Sequence, residues 1–294
     1  MAHETKRKYG KILNTGLNST STEKVLAFVR DSISRGYKFW ISTPNPEIIL
    51  AAQKDKELHK ALENSDLAIP DGIGLAQAAK FLSLPAPKNF IVRTLVLLFQ
   101  GAVVGLATFF KKEWLISSLR IIKGRVLFIE LIKHASKKRW KIFLLGGLPG
   151  YAKSAGLNLR KSFKTVRIAY AQGPQINSKG EPDSLKDIEI QKDAITQINE
   201  YQPQLLFVAF GDAKPKQEKW VYKNLPKLKI GGAMVVGGTL DYIAGETALP
   251  PKWMEEAGLE WIWRLIKEPW RLKRIFTAFP VFPLKVFWYK LTSA

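Results

Sequence analysis

The chain has 294 residues, enough for one large or two modest domains with a buried core, and it contains no cysteine, which excludes a disulfide scaffold, a thiol nucleophile and a Cys-ligated zinc site. Its 46 Lys and Arg against 25 Asp and Glu leave a net charge of +21, and the 46% hydrophobic and 11% aromatic content place that charge on a folded body. The partner implied is anionic, whether nucleic acid, anionic lipid or a phosphorylated substrate, and the dispersed His3, His59 and His134 suggest no metal cluster.

Residues 1–10 are polar and charged, so no signal peptide is expected and the catalytic body is expected in the cytoplasm. Ser21 and Thr22 precede EKVLAFVRDSISRG, where a hydroxyl caps an amphipathic helix that stops at Gly36. KFWIST follows as a short buried strand, then TPNPE as a loop leading into a helix, then LAIPDGIG as a strand and a Gly-rich turn. In the first loop, Thr43 and Asn45 have the ordinary reading of a rigid turn and helix cap. Asp71, also a common turn residue, stands at a strand end beside glycines that let a ligand approach the backbone, which is where a general base belongs.

FIVRTLVLLFQGAVVGLATFF, residues 90–110, carries Arg93 as its only formal charge and meets the length criterion for crossing a bilayer. The strands before and after it should share one sheet, so a single crossing is excluded. A re-entrant or interfacial helical hairpin bending near Gly101 or Gly105 is expected, with an apolar helix buried against a second copy in a homo-oligomer as the alternative. Lys88, Lys111, Lys112, Arg120 and Lys123 surround it, ready to meet anionic headgroups.

The alternation then resumes. RWKIFLLGG reads as a strand, GYAKSAGLNLRKSF as a helix, VRIAYAQG as a strand, DAITQINEYQ as a helix, LLFVAFG as an apolar strand, KPKQEKWVYKNL as a helix and AMVVGG as a strand. Gly146 and Gly147 lie where backbone amides and a helix N-terminus can cradle a diphosphate. Gln217 is placed to hydrogen-bond a sugar or nucleotide, and Lys216 adds positive charge, against the ordinary reading of a charged turn. GGTLDYIAGE, residues 237–246, reads as a sheet edge and turn with Asp241 structural.

This order predicts an α/β fold with a Rossmann-like, mostly parallel sheet, helices on both faces, and ligands beyond the strands' carboxyl ends. Residues 1–251 are read as the catalytic domain, including an apolar helical insert at about 83–120, and residues 252–294 as a helical appendage. Ten of those last 43 residues are aromatic, interleaved with Arg264, Lys267, Arg271, Lys273, Arg274, Lys285 and Lys290, the composition of a helix in a membrane interface. Pro269 is expected to begin a second helix there.

In order, TPNPE, IPDGIG, FLLGGLPG, PKQEKW, GGTLDYIAGE and GLEWIWRLIKEPWRLKRI resemble the successive motifs of the WecG/TagA/CpsF glycosyltransferases, glycosyltransferase family 26. The resemblance implies transfer of an N-acetylmannosamine-type sugar from a UDP-sugar to a polyprenyl-diphosphate-linked sugar at the cytoplasmic membrane face, in wall teichoic acid, enterobacterial common antigen or exopolysaccharide synthesis. It implies that Asp71 is the general base, with Thr43, Asn45 and Gln217 completing the pocket. Arg264, Arg271 and Arg274 match basic positions of an appendage that helps hold the donor's diphosphate. Arg125 matches an arginine before Val-x-Gly-x-Asp-Leu, with Phe128 here in place of the glycine and Glu130 in place of the aspartate. FGDAKPKQE carries two extra residues.

The residues support this chemistry in their own right. A sugar hydroxyl is a poor nucleophile, which a placed carboxylate activates by about 10²- to 10⁴-fold. The sequence has no Asp-x-Asp to hold a divalent metal, so Arg and Lys are the groups available to neutralise a leaving diphosphate, and no cofactor is expected. One base without a second carboxylate nucleophile predicts single displacement with inversion. An oxidoreductase reading fails for want of a G-x-G-x-x-G. The remaining rival is a non-catalytic membrane-surface or nucleic-acid-binding protein on the same fold. Because much of the charge flanks apolar segments, nucleic acid is the least favoured partner.

Overall fold

A computed structural model describes residues 10–210, 215–246, 248–256, 260–269 and 272–293, with the side chains of residues 255, 256, 261, 264 and 273 outside that description. It opens with a hairpin, β1 (Gly10–Ile12) and β2 (Thr15–Leu17). Leu13 and Asn14 both have positive φ in its two-residue turn, the geometry that matches strand twist. Next come α1 (Thr22–Ser34), capped by the Ser21 hydroxyl as expected, and β3 (Phe39–Ser42). The expected single helix after TPNPE is two: α2 (Pro46–Ala52) and α3 (Lys56–Glu63), each started by its own carboxylate or amide cap, Asn45 accepting from Ile48 N and Asp55 from Leu58 N.

Then follow β4 (Leu67–Ala68), α4 (Ile73–Ser83), α5 (Phe90–Phe110), α6 (Lys112–Ile116) and α7 (Gly124–Lys138). The second half of the sheet alternates β5 (Lys141–Gly146), α8 (Tyr151–Ser162), β6 (Arg167–Ala171), α9 (Leu185–Tyr201), β7 (Leu205–Ala209), α10 (Gln217–Asn224) and β8 (Gly232–Val235). The chain ends in α11 (Thr239–Ala244), α12 (Lys252–Glu256), α13 (Glu260–Lys267), α14 (Leu272–Phe276), a kink at Thr277–Val281 where Phe279 is extended, and α15 (Phe282–Thr292).

Two expectations are corrected. Residues 90–110 form one uninterrupted helix and not a hairpin, because Gly101 and Gly105 keep helical geometry and the Asn89 side chain caps the start by accepting from Ile91 N and Val92 N. GGTLDYIAGE is a helix and not a sheet edge, since β8 stops at Val235 and Gly245, at φ +86, closes α11 as its left-handed C-cap.

The main sheet runs β4-β3-β8-β7-β5-β6 with every neighbouring pair parallel. Alternation of side chains sorts its two faces. Ile142 and Leu144 of β5 with Leu205 and Phe207 of β7 join α1, α7, α8 and α11, where Phe128 meets Phe207 edge to face at 4.7 Å. Phe143, Leu145, Leu206 and Val208 join α3, α9 and α10. Each such fully buried side chain contributes about 1.5–3 kcal/mol of transfer free energy, more than an exposed ion pair. A third apolar cluster lies to one side, where β1, β2 and α4 pack with α5, α6 and α15. The last helix therefore shares a core with the apolar insert.

Candidate active site

All six strands point their carboxyl ends the same way, so the loops after β4, β3, β8 and β7 fall along one edge, about 14 Å wide for four strands spaced about 4.8 Å apart. The two leftmost loops are tied together, Ile69 N–H donating to Ser42 O at 2.9 Å and Asp71 N–H to Pro44 O at 2.9 Å. Gly72, at φ +96, turns the chain from Asp71 into α4. Thr43 donates its hydroxyl to Val235 O at the end of β8, 3.3 Å away.

The segment after the insert returns to this edge, with Ile122 N–H donating to Pro70 O at 3.1 Å. It brings the N-terminus of α7 against the carboxylate: a Cβ on Gly124 would lie 3.3 Å from Asp71 Oδ2 and 3.5 Å from Thr43 Oγ1. Asp71, Thr43 and the first turn of α7 thus converge although 53 residues separate Asp71 from Gly124 in sequence. No acidic residue occupies the first turn of α4 or α7, so the partial positive charge of both N-termini faces the site uncompensated by their own side chains.

Arg125 follows directly. Its guanidinium stands 5.7 Å from the Tyr242 ring centre and 4.0 Å from Glu260 Oε1, which also takes a 2.5 Å ion pair from Lys123. Glu260 opens α13, so the appendage reaches across to α7. A second tie is bidentate: Arg274 Nε and Nη2 donate to Glu47 in the first turn of α2, at 3.0 and 2.8 Å to Oε2. Arg274 is occupied by protein here. Its expected contribution is structural: Arg274→Ala and Glu47→Ala should each cost about 1 kcal/mol in urea unfolding, and the double substitution less than their sum. Arg264 lies on α13 with its side chain outside the described residues, as is the whole of Arg271.

Gln217 begins α10 and is buried, its Oε1 accepting from Phe210 N–H at 3.3 Å and its Nε2 3.8 Å from where a Cβ on Gly237 would stand. It therefore bridges the loops after β7 and β8. Lys216 turns its ammonium to Ile176 O at 2.5 Å. Asn45 spends its side-chain oxygen on the α2 cap. Gly146 and Gly147 have a packing reason to be glycine: at φ +102 a Cβ on Gly146 would stand 2.0 Å from Ala209 O, and that carbonyl already accepts the Gly147 N–H.

Sequence reasoning left Tyr242 and Glu260 out as the residues that hold Arg125, although both lie in motifs it quoted. It also gave no role to Glu218, the neighbour of Gln217. Glu218 is 2% exposed, its Oε2 has no hydrogen-bond partner among the described residues, and burial pushes its carboxyl up from 4.5 to about 7.

Residues 10–110 and 96–294 match the family described as Glycosyl transferase WecG/TagA/CpsF family, and the two stretches overlap inside the apolar α5. Among curated proteins, the chain is 28% identical over 247 residues to a Bacillus subtilis (strain 168) N-acetylglucosaminyldiphosphoundecaprenol N-acetyl-beta-D-mannosaminyltransferase, covering 84% of this chain and 78% of that protein. Proteins of the same name from Bacillus spizizenii and Staphylococcus aureus (strain MW2) are 24% and 23% identical, over 81% and 84% of this chain and 75% and 79% of theirs.

Proposed function

The chain belongs to the WecG/TagA/CpsF glycosyl transferase family, and from that premise we propose that it moves an N-acetylmannosamine-type sugar from UDP to a polyprenyl-diphosphate-linked N-acetylglucosamine at the cytoplasmic face of the membrane. The product would enter a cell-surface polymer such as a wall teichoic acid. The observation that carries this reading is the meeting of the Asp71 carboxylate, the Thr43 hydroxyl and the glycine-opened N-terminus of α7 at the carboxyl edge of the sheet.

In the proposed reaction Asp71 takes the proton of the acceptor hydroxyl as its oxygen bonds to the anomeric carbon, and the bond from that carbon to the donor phosphate breaks with inversion. Charge growing on the departing UDP meets the N-terminus of α7 and the Arg125 guanidinium, whose orientation Tyr242 and Glu260 support. Gln217 hydrogen-bonds the bound sugar or nucleotide from the next loop. Arg264 and Arg271 are proposed to add positive charge when the appendage covers the donor. A screen of UDP-sugars with a short-chain prenyl-diphosphate-N-acetylglucosamine tests the reading. UDP release with the N-acetylmannosamine donor is expected, and release with none of the donors would overturn it.

Metal independence is part of the proposal and rests on the absence of an Asp-x-Asp from the sequence. Turnover is expected to change less than twofold after chelation with excess EDTA; loss that returns with added magnesium or manganese would refute it.

A further inference from the structure

Helix α5 is built inside out for a helix on a water-soluble body. An amphipathic surface helix ordinarily turns its polar side to solvent and its apolar side to the core. Here the polar side chains face inward or are satisfied along the helix. Arg93, the only charge, donates from Nη2 to Lys290 O and Ser293 O at the end of α15. Gln100 donates to Pro85 O at 2.7 Å and accepts from Lys290 Nζ at 3.0 Å, Thr108 accepts from Gln77, and Thr94 bonds back to Phe90 O.

What remains outward is apolar: Phe90, Ile91, Leu95, Leu98, Phe99, Leu106, Phe109 and Phe110 are all exposed, Phe110 by 81%. On α15, which packs on α5, Leu284 and Trp288 are exposed as well. A face of this size and purity, on a helix about 31 Å long, is far beyond the scattered apolar residues of ordinary surfaces. Its ends are basic, with Lys88 before it and Lys111 and Lys112 after it all exposed. That arrangement complements a bilayer with anionic headgroups.

The helix does not stand across such a bilayer. It runs back along α4, Gln100 meeting Pro85 near that helix's end and Thr108 meeting Gln77 at its middle, and α6 and α15 pack on the same side. A crossing would carry Lys80, Lys112 and Glu113 of those neighbours into hydrocarbon. Its C-terminal end also returns toward Asp71, since Gln77 is only one turn beyond the start of α4.

We propose that α5 lies in the plane of an anionic phospholipid bilayer, its outward face among the acyl chains, latched to α15 through Arg93 and Lys290, so that the Asp71 site opens at headgroup level. This deepens the proposed transfer to a lipid-linked diphosphate and rests on that reading for its purpose, but its test does not depend on turnover. In sedimentation with phosphatidylglycerol-containing vesicles, the full chain is expected to bind and the exposed-face pair Leu98→Glu/Leu106→Glu to partition at least about tenfold less. Turnover of a water-soluble short-chain acceptor should be equal in the two proteins. Equal vesicle binding by the pair would overturn the proposal, as would a wild-type chain that ignores vesicles and forms a dimer the pair dissolves. Absence of turnover in both proteins would count against the transferase reading alone. Because the chain has no cysteine, Lys88→Cys and Lys112→Cys give single labels at the two ends. Both should react with an impermeant maleimide added outside sealed vesicles, and protection of one end would show a crossing and refute in-plane placement.

Discussion

Asp71→Asn is expected to lower kcat by about 10²- to 10⁴-fold while UDP affinity and the unfolding midpoint stay within error of the wild type. The substitution keeps shape and volume, and the backbone bond from residue 71 to Pro44 O is independent of the side chain. What it removes is the proton acceptor. An amide oxygen in that position still accepts a hydrogen bond from the acceptor hydroxyl, so binding persists, but the hydroxyl must then attack with its proton in place. The N-terminus of α7 and Arg125 would continue to stabilise the leaving diphosphate, which is why the loss is bounded and turnover is not abolished outright. Single-turnover measurement with saturating donor separates the chemical step from product release. A kcat within threefold of wild type in a folded protein would remove Asp71 from the role of base and leave the convergence at α7 without a catalytic meaning.

The main-sheet strands and their succession along the chain were legible because apolar runs such as LLFVA and IFLL are buried on both faces, and Gly and Pro mark their ends, whereas the opening β1–β2 hairpin and the order of strands in the sheet were not read. The Ser21 and Asn45 caps were equally local. What the sequence hid was non-local. Nothing near Asp71 announces Gly124, which arrives after the whole insert and meets the carboxylate only through the Ile122 bond to Pro70. The pairing of Arg274 with Glu47 was hidden in the same way, since it spans 227 residues. The packing demand on Gly146, set by the close approach of β7 to β5, likewise leaves no local trace. The expected hairpin at α5 followed from requiring both flanks on one side of a membrane, with Gly101 or Gly105 as the bend. With the polar side chains drawn onto α4 and α15, the continuous helix keeps its backbone bonds and Gly101 and Gly105 cost only about 1 kcal/mol each.

Glu218→Gln is expected to stabilise the protein by about 3 kcal/mol at pH 8 and by nothing measurable at pH 4. The sign follows from the direction of the shift. Burial raises the folded carboxyl to about 7 from the usual 4.5, so between these values the unfolded chain releases the proton while the folded chain keeps it. Stability from this group is complete below about pH 4.5, declines as pH rises toward 7, and stays low above, where the folded state must hold a buried charge. A gap from 4.5 to about 7 at about 1.4 kcal/mol for each pH unit gives the expected gain. Glutamine keeps the volume and stays neutral throughout, so its urea midpoint should lose this pH dependence. A gain of the same size at both pH values would mean that packing, not ionisation, is responsible, and destabilisation at pH 8 would mean that the carboxylate has a partner in solution. An acid held at this expense beside Gln217, in the first turn of α10 between β7 and β8, is the pattern of a site where local stability has been given up for function. If so, the stabilised variant should also show a changed KM for the donor, since α10 would then hold Gln217 in a different balance between its Phe210 bond and the ligand.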